Sequence, residues 1–108
     1  MKSIIQADRS HCFICGRNSR ADYWGLDEHH VFGGYGKREL SEQYGLKVYI
    51  CHDKCHLNGV HKNADLNRAL QSMVQKRAMQ HYGWTIEDFR KIFGRNYIEN
   101  EVKNNGKS

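Results

Sequence analysis

Apolar and polar positions change their period along the chain, and each change marks an element. Tyr23–Phe32 is rich in aromatic and branched residues (Tyr23, Trp24, Leu26, Val31, Phe32), the composition of a strand. Leu46-Lys47-Val48-Tyr49-Ile50 alternates apolar with polar and predicts a second strand. Beyond Asn63 the period lengthens. Leu66, Leu70, Met73, Val74, Arg77 and His81 follow i, i+4, i+7, i+8 spacing, predicting an amphipathic helix over about Ala64–Tyr82. Asn63 is its N-cap, Asp65 suits its first turn, and Gly83 stops it. Thr85 followed by Glu87 and Asp88 opens another helix over about Ile86–Phe93, which presents Phe89, Ile92 and Phe93 and ends at Gly94.

The connections are read from their turn residues. Ser3–Ala7 reads as a short strand or an ordered arm, and Arg17–Asp22 as a polar loop. Gly33-Gly34-Tyr35-Gly36-Lys37-Arg38 reads as a flexible basic loop, and Ser41–Tyr44 as one helical turn stopped by Gly45. Asn58-Gly59 interrupts the helical turns that begin near Cys51. Arg95–Ile98 packs back as an extended segment, and Glu99–Ser108 is a polar, frayed end.

Composition narrows the class. A length of 108 residues suits one domain, and 39% hydrophobic with 27% charged residues describes a globular chain. The formal net charge is +5, which favours a polyanionic partner. The excess sits late: residues 1–61 hold 8 basic and 7 acidic side chains, residues 62–108 hold 9 and 5, so the second half is the better phosphate-contacting surface. No apolar run reaches the ~18 residues of a membrane span, and the N-terminal apolar piece is too short for a signal peptide, which predicts a cytoplasmic protein with no membrane partner. In that compartment four cysteines are zinc ligands rather than disulfides.

The cysteines fall in two tight pairs. Cys12-Phe13-Ile14-Cys15-Gly16 has the shape of a zinc knuckle, a turn that brings both sulfurs to one point and is closed by glycine. Cys51 and Cys55, four apart, share a face if a helix begins there. Together they make a four-thiolate structural site. Between the pairs lies Glu28-His29-His30-Val31-Phe32. An isolated His-His is ordinarily a surface pair. On a strand, however, neighbouring side chains face opposite ways, so one imidazole can meet a cation while the other meets a substrate. His56 directly follows the last cysteine, so a clamp of zinc would gather His29, His30 and His56, with His61, five residues on, as a further candidate. Such a cluster suits phosphodiester hydrolysis: His30 as base, His29 and His56 as holders of a cation, and Lys37, Arg38, Lys62, Arg68, Lys76 and Arg77 as phosphate contacts. His52, four before His56, is a weaker ligand candidate; His11 is read as a residue beside the knuckle and His81 as structural.

The order Cys-x-x-Cys, then His-His, then Cys-x-x-x-Cys-His over about Cys12–His61 resembles the HNH, or His-Me finger, nucleases. Glu-His-His-Val-Phe-Gly-Gly, Tyr-Gly-Leu-Lys-Val-Tyr-Ile-Cys, Gly-Val-His and Lys-Ile-Phe-Gly-Arg-Asn-Tyr are similar to small HNH proteins of phages and prophages. The resemblance implies an α+β fold with a zinc-stapled treble-clef or ββα-metal core, a two-stranded hairpin plus a helix, followed by two C-terminal helices. It implies one nuclease domain over 1–102, with the core at about 12–62, a helical extension at about 63–98 and a tail at 103–108. It implies a DNA endonuclease or nickase in a bacterial or phage-infected cell, with structural zinc on Cys12, Cys15, Cys51 and Cys55. One catalytic divalent ion (Mg²⁺, Mn²⁺, Ni²⁺ or Zn²⁺) would sit on His29 and His56, with His61 as a third ligand or a phosphate contact, and His30 would be the base. A homodimer or a phage protein partner fits the same picture. Two features depart from the family. No Asn lies between His30 and Cys51 to orient the base, leaving a backbone carbonyl or Gln43, and the second cysteine pair encloses three residues rather than two. A zinc-stapled DNA-binding or regulatory protein without catalysis, and a zinc-stabilised adaptor that binds protein, are the competing readings.

Overall fold

The computed structural model describes residues 2–18, 25–34 and 36–98. The expected loop at 19–22, the strand residues Tyr23 and Trp24, Tyr35 of the glycine-rich loop and the tail Glu99–Ser108 lie outside them. The architecture is α+β. Strand β1, Leu26–His30, pairs antiparallel with strand β2, Lys47–Cys51, and helix α1, Lys37–Tyr44, fills the connection between them. A π-helical segment, His52–Val60, leaves the end of β2, and helices α2, Ala64–Tyr82, and α3, Ile86–Phe93, follow. No helix among the described residues is long and apolar enough to cross a membrane.

Several elements differ from the sequence expectation. β1 is five residues long and stops at His30, because Val31 and Phe32 bend into the interior. The Ser41 hydroxyl donates to the Phe32 carbonyl at 2.8 Å and accepts the Phe32 N–H at 3.1 Å, fixing that bend. α1 is two turns rather than one, so Lys37 and Arg38 are helical and not part of a loop. Asn58-Gly59 does not interrupt the coil after Cys51; the π-helical hydrogen bonding runs through it to Val60. Ser3–Ala7 is the arm and not the strand: Ser3 Oγ donates to the Lys47 carbonyl at 2.5 Å and accepts from Ile5 and Gln6. Gln6 Oε1 accepts the Tyr49 N–H at 2.8 Å, so the arm satisfies the outer edge of β2.

β2 is buried at all five positions, which alternation does not predict for Lys47. Phe32, Phe89 and Phe93 are fully buried, with ring centroids 4.6–5.3 Å apart. Each contributes roughly 1.5–3 kcal/mol by burial, and offset or edge contacts add to that. α2 turns Leu70, Val74 and Ala78 inward, so Arg77 and His81 lie off the buried face. Gln75 takes a buried place instead. Its Nε2 donates to Asn96 Oδ1 at 2.8 Å and its Oε1 accepts the Tyr97 N–H at 2.7 Å, which seats Arg95–Ile98 against the core as expected. Asn63 caps α2 through the Leu66 N–H, and Thr85 with Asp88 forms the capping box of α3.

Candidate metal centre and cleft

The four cysteines converge. Their sulfurs all lie within 4.8 Å of one another, with Cys15 and Cys51 Sγ 3.9 Å apart, and all four are free thiols. A disulfide needs about 2.05 Å between sulfurs. A zinc tetrahedron with Zn–S of ~2.3 Å has edges of about 3.8 Å, close to the Cys15–Cys51 separation. The knuckle is built by the Gly16 N–H donating to the Cys12 carbonyl at 2.9 Å and the Cys15 N–H pointing at Cys12 Sγ at 3.4 Å. Gly16 sits at φ 77°, the left-handed turn a side chain resists.

Electrostatics agree with a cation there. Burial pushes the Cys12 thiol up, but the N–H groups of Cys15, Cys51 and Ile14 at its sulfur outweigh this and bring it to about 7. Burial, then the neighbouring sulfurs, holds Cys55 well above the usual thiol range, and burial also raises Cys51. Four sulfurs crowded together cannot all ionise unaided. A divalent ion removes that conflict.

A second convergence involves imidazoles. One ring nitrogen from each of His29, His56 and His61 falls within 4.8 Å of the others. His56 Nε2 and His61 Nε2 are 3.0 Å apart, and the His29 ring stands 5.2 Å and 5.7 Å from theirs, centroid to centroid. The π-helical segment makes this possible. In an α-helix, positions five apart diverge by about 140° around the axis. Bonds spanning i to i+5 bring such positions over one another, and the His61 N–H donates to the His56 carbonyl at 3.2 Å.

His29 supplies the test of fit. It is 9% exposed, and its Nε2 is buried with no hydrogen-bond partner. Burial, then the neighbouring imidazoles, lowers its pKa to about 4, so the ring is neutral, as a ligand must be. An orphaned buried nitrogen costs about 1–3 kcal/mol unless something occupies it. His56 is fixed from behind: Asp27 Oδ2 lies 2.8 Å from its Nδ1 and 2.7 Å from His52 Nδ1. Burial raises the Asp27 carboxyl, but the hydrogen bonds from His56 and His52 outweigh it and hold the pKa below the ordinary value. A carboxylate can only accept, so both Nδ1 atoms carry the protons and His56 Nε2 keeps its lone pair for the cluster. His52 is therefore engaged by Asp27 beside the cluster of His29, His56 and His61.

Strand alternation sorts the acids and histidines of β1. Asp27 and His29 face His56, whereas Glu28 and His30 face the other side. His30 Nε2 lies 2.8 Å from Glu42 Oε1. Lys47 Nζ bonds Glu42 at 3.0 Å and 3.1 Å and Glu28 at 3.2 Å, which explains a buried lysine on β2. Gln43 is exposed and does not meet His30. Both sides of the strand open on one cleft of about 540 Å³, lined by His29, His30, His56 and His61 with Glu28, Arg38, Asn67 and Gln71 among others.

Of the expected phosphate contacts, Arg38 lines this cleft. Lys37 instead reaches Tyr97 Oη at 3.4 Å, and Arg68 pairs with Asp65. Lys62, Lys76 and Arg77 are exposed beside or along α2, outside the lining. Asp27, Glu42, Asn67 and Gln71 escaped the sequence reading. For Asp27 the signal was present, since it is two residues before His29 on a strand. No family model, no curated protein and no solved structure matches the chain.

Proposed function

We propose that the chain is a metal-dependent DNA endonuclease of the HNH type, built on a zinc-stapled ββα-metal core. The observation that carries this reading is one cleft that holds three converging imidazoles, His29, His56 and His61, with His30 on the adjacent strand position. Cys12, Cys15, Cys51 and Cys55 hold the structural zinc and fix the end of β2 and the start of the π-helical segment. His29, His56 and His61 hold the working ion, and their all-nitrogen set suits zinc, nickel or manganese better than magnesium. When bound, that ion supplies positive charge to the scissile phosphate and the leaving 3′ oxygen.

His30 takes the proton from the attacking water. Its Nε2 is committed to Glu42, so Nδ1 is the nitrogen offered to the water. Arg38 at the cleft wall provides a fork for a non-bridging phosphate oxygen, and Asn67 and Gln71, one turn apart on α2, provide neutral donors alongside. The net charge of +5 brings the polyanion in.

The test is nicking of supercoiled plasmid by the zinc-loaded protein with added Mg²⁺, Mn²⁺ or Ni²⁺. Cleavage is expected, and His30→Ala is expected to lower its rate by about 10²–10⁴-fold while folding and zinc content stay intact. Binding to DNA without cleavage under every ion would replace this reading with the non-catalytic DNA-binding protein. Absence of DNA affinity at low salt would leave the adaptor.

A further inference from the structure

We infer that Glu42, anchored by the buried Lys47, is the positioning residue of His30, holding the ring in the tautomer and orientation that present Nδ1 to the cleft. This rests on the reading of His30 as the base, but its geometry can be tested apart from activity. Glu42 Oε1 is 2.8 Å from His30 Nε2, whereas Glu28 Oε1 is 3.8 Å away, beyond hydrogen-bond reach. Glu42 is therefore the carboxylate that holds the ring. A carboxylate accepts and never donates, so the proton of the neutral ring sits on Nε2 and the lone pair on Nδ1.

Glu42 is itself held on two sides. Lys47 Nζ contacts both of its oxygens, and Lys47 is 4% exposed. Lys47 stands opposite His30 in the β1–β2 register, so the anchor and the ring are positioned by the same pair of strands. On the helix side, Ser41 next to Glu42 bonds both the N–H and the carbonyl of Phe32, which ties α1 to the end of β1. Glu28, His30 and Glu42 also have the spacing of a cation site. The Lys47 ammonium already lies between the two carboxylates, so this trio serves the lysine and the ring rather than a third metal.

Removing the Glu42 carboxylate leaves Lys47 paired with Glu28 at 3.2 Å, so Glu42→Ala does not strand a buried charge. The experiment is side-chain ¹⁵N–¹H correlation of the histidine rings in the zinc-loaded full chain, with plasmid nicking kinetics beside it. In the parent protein His30 is expected to show the Nε2–H tautomer. In Glu42→Ala the ring is expected to show mixed tautomers, and kcat to fall about 100-fold with KM little changed, the size of a misplaced catalytic group. Glu42→Gln, which keeps an acceptor oxygen, is expected to recover part of both. An Nδ1–H or mixed tautomer in the parent protein would overturn the inference, as would an unchanged tautomer in Glu42→Ala. If the parent protein cleaves no DNA under any ion, the nuclease reading falls, and the ring tautomer still decides the role of Glu42.

Discussion

Asp27 Oδ2 accepts from His56 Nδ1 at 2.8 Å and from His52 Nδ1 at 2.7 Å, so one oxygen on β1 orders two imidazoles one helical turn apart. Only His56 belongs to the group that includes His29 and His61. The bond fixes which nitrogen of His56 faces that group, a role partners of ligating histidines commonly have.

Asp27→Asn is therefore expected to weaken ion binding at the proposed His29–His56–His61 site and to spare the four cysteines. Its affinity for Ni²⁺ or Zn²⁺ added to the zinc-loaded protein is expected to fall by about 10–100-fold, measured by calorimetry. Zinc content by elemental analysis is expected to remain one per chain. Unchanged affinity for the added ion would remove Asp27 from the site.

The depressed pKa of His29 gives a signed pH dependence. Its folded value is about 4, below its ordinary 6.5. Between those values the unfolded chain takes up a proton that the folded chain refuses, so stability is lost as pH falls through this window. The loss reaches about 2 kcal/mol by pH 5. Denaturant titrations of the zinc-loaded protein at pH 7 and pH 5, without further ions, are expected to show this drop. In His29→Leu the drop is expected to be smaller by that amount, and parallel pH profiles would contradict the assignment.

Zinc removal is expected to unfold the chain. A structural zinc contributes about 10–16 kcal/mol in small zinc peptides near pH 7, as much as the whole stability of an ordinary domain. Because Cys51 and Cys55 are held as thiols, binding the ion releases protons, and occupancy falls as pH falls. Circular dichroism during titration with a strong chelator is expected to show loss of helix, at lower chelator as the solution is made more acid. Cys51→Ser is expected to start unfolded, and a helical, cooperative Cys51→Ser would count against the zinc clamp.

Much of this arrangement was legible in the chain. The caps Asn63 and Thr85 and the stops Gly45, Gly83 and Gly94 delimit helices because each satisfies terminal backbone groups locally. The pairing of cysteines was legible because two short turns each carry their own two ligands. Lys47 misled because burial of an ammonium depends on Glu28 and Glu42, one across the sheet and one on a helix. Nothing in the sequence links Glu42 to His30, since its placement depends on α1 starting at Lys37 rather than at Ser41. Arg77 and His81 match the helical stripe but are exposed, whereas Gln75 is buried because its partners Asn96 and Tyr97 lie some twenty residues on.

Sulfur and imidazole alternate through the segment that leaves β2: Cys51 then His52, Cys55 then His56. Two of the four cysteines and two of the three converging histidines, His56 and His61, thus sit on a single thread. A slip of the thread by one position would put an imidazole where each of these two thiols stands and carry His56 away from His29. An insertion or deletion between Cys51 and His61 consequently disturbs both groups at once, where a single substitution touches one, and homologous chains that keep the chemistry should keep this spacing to the residue.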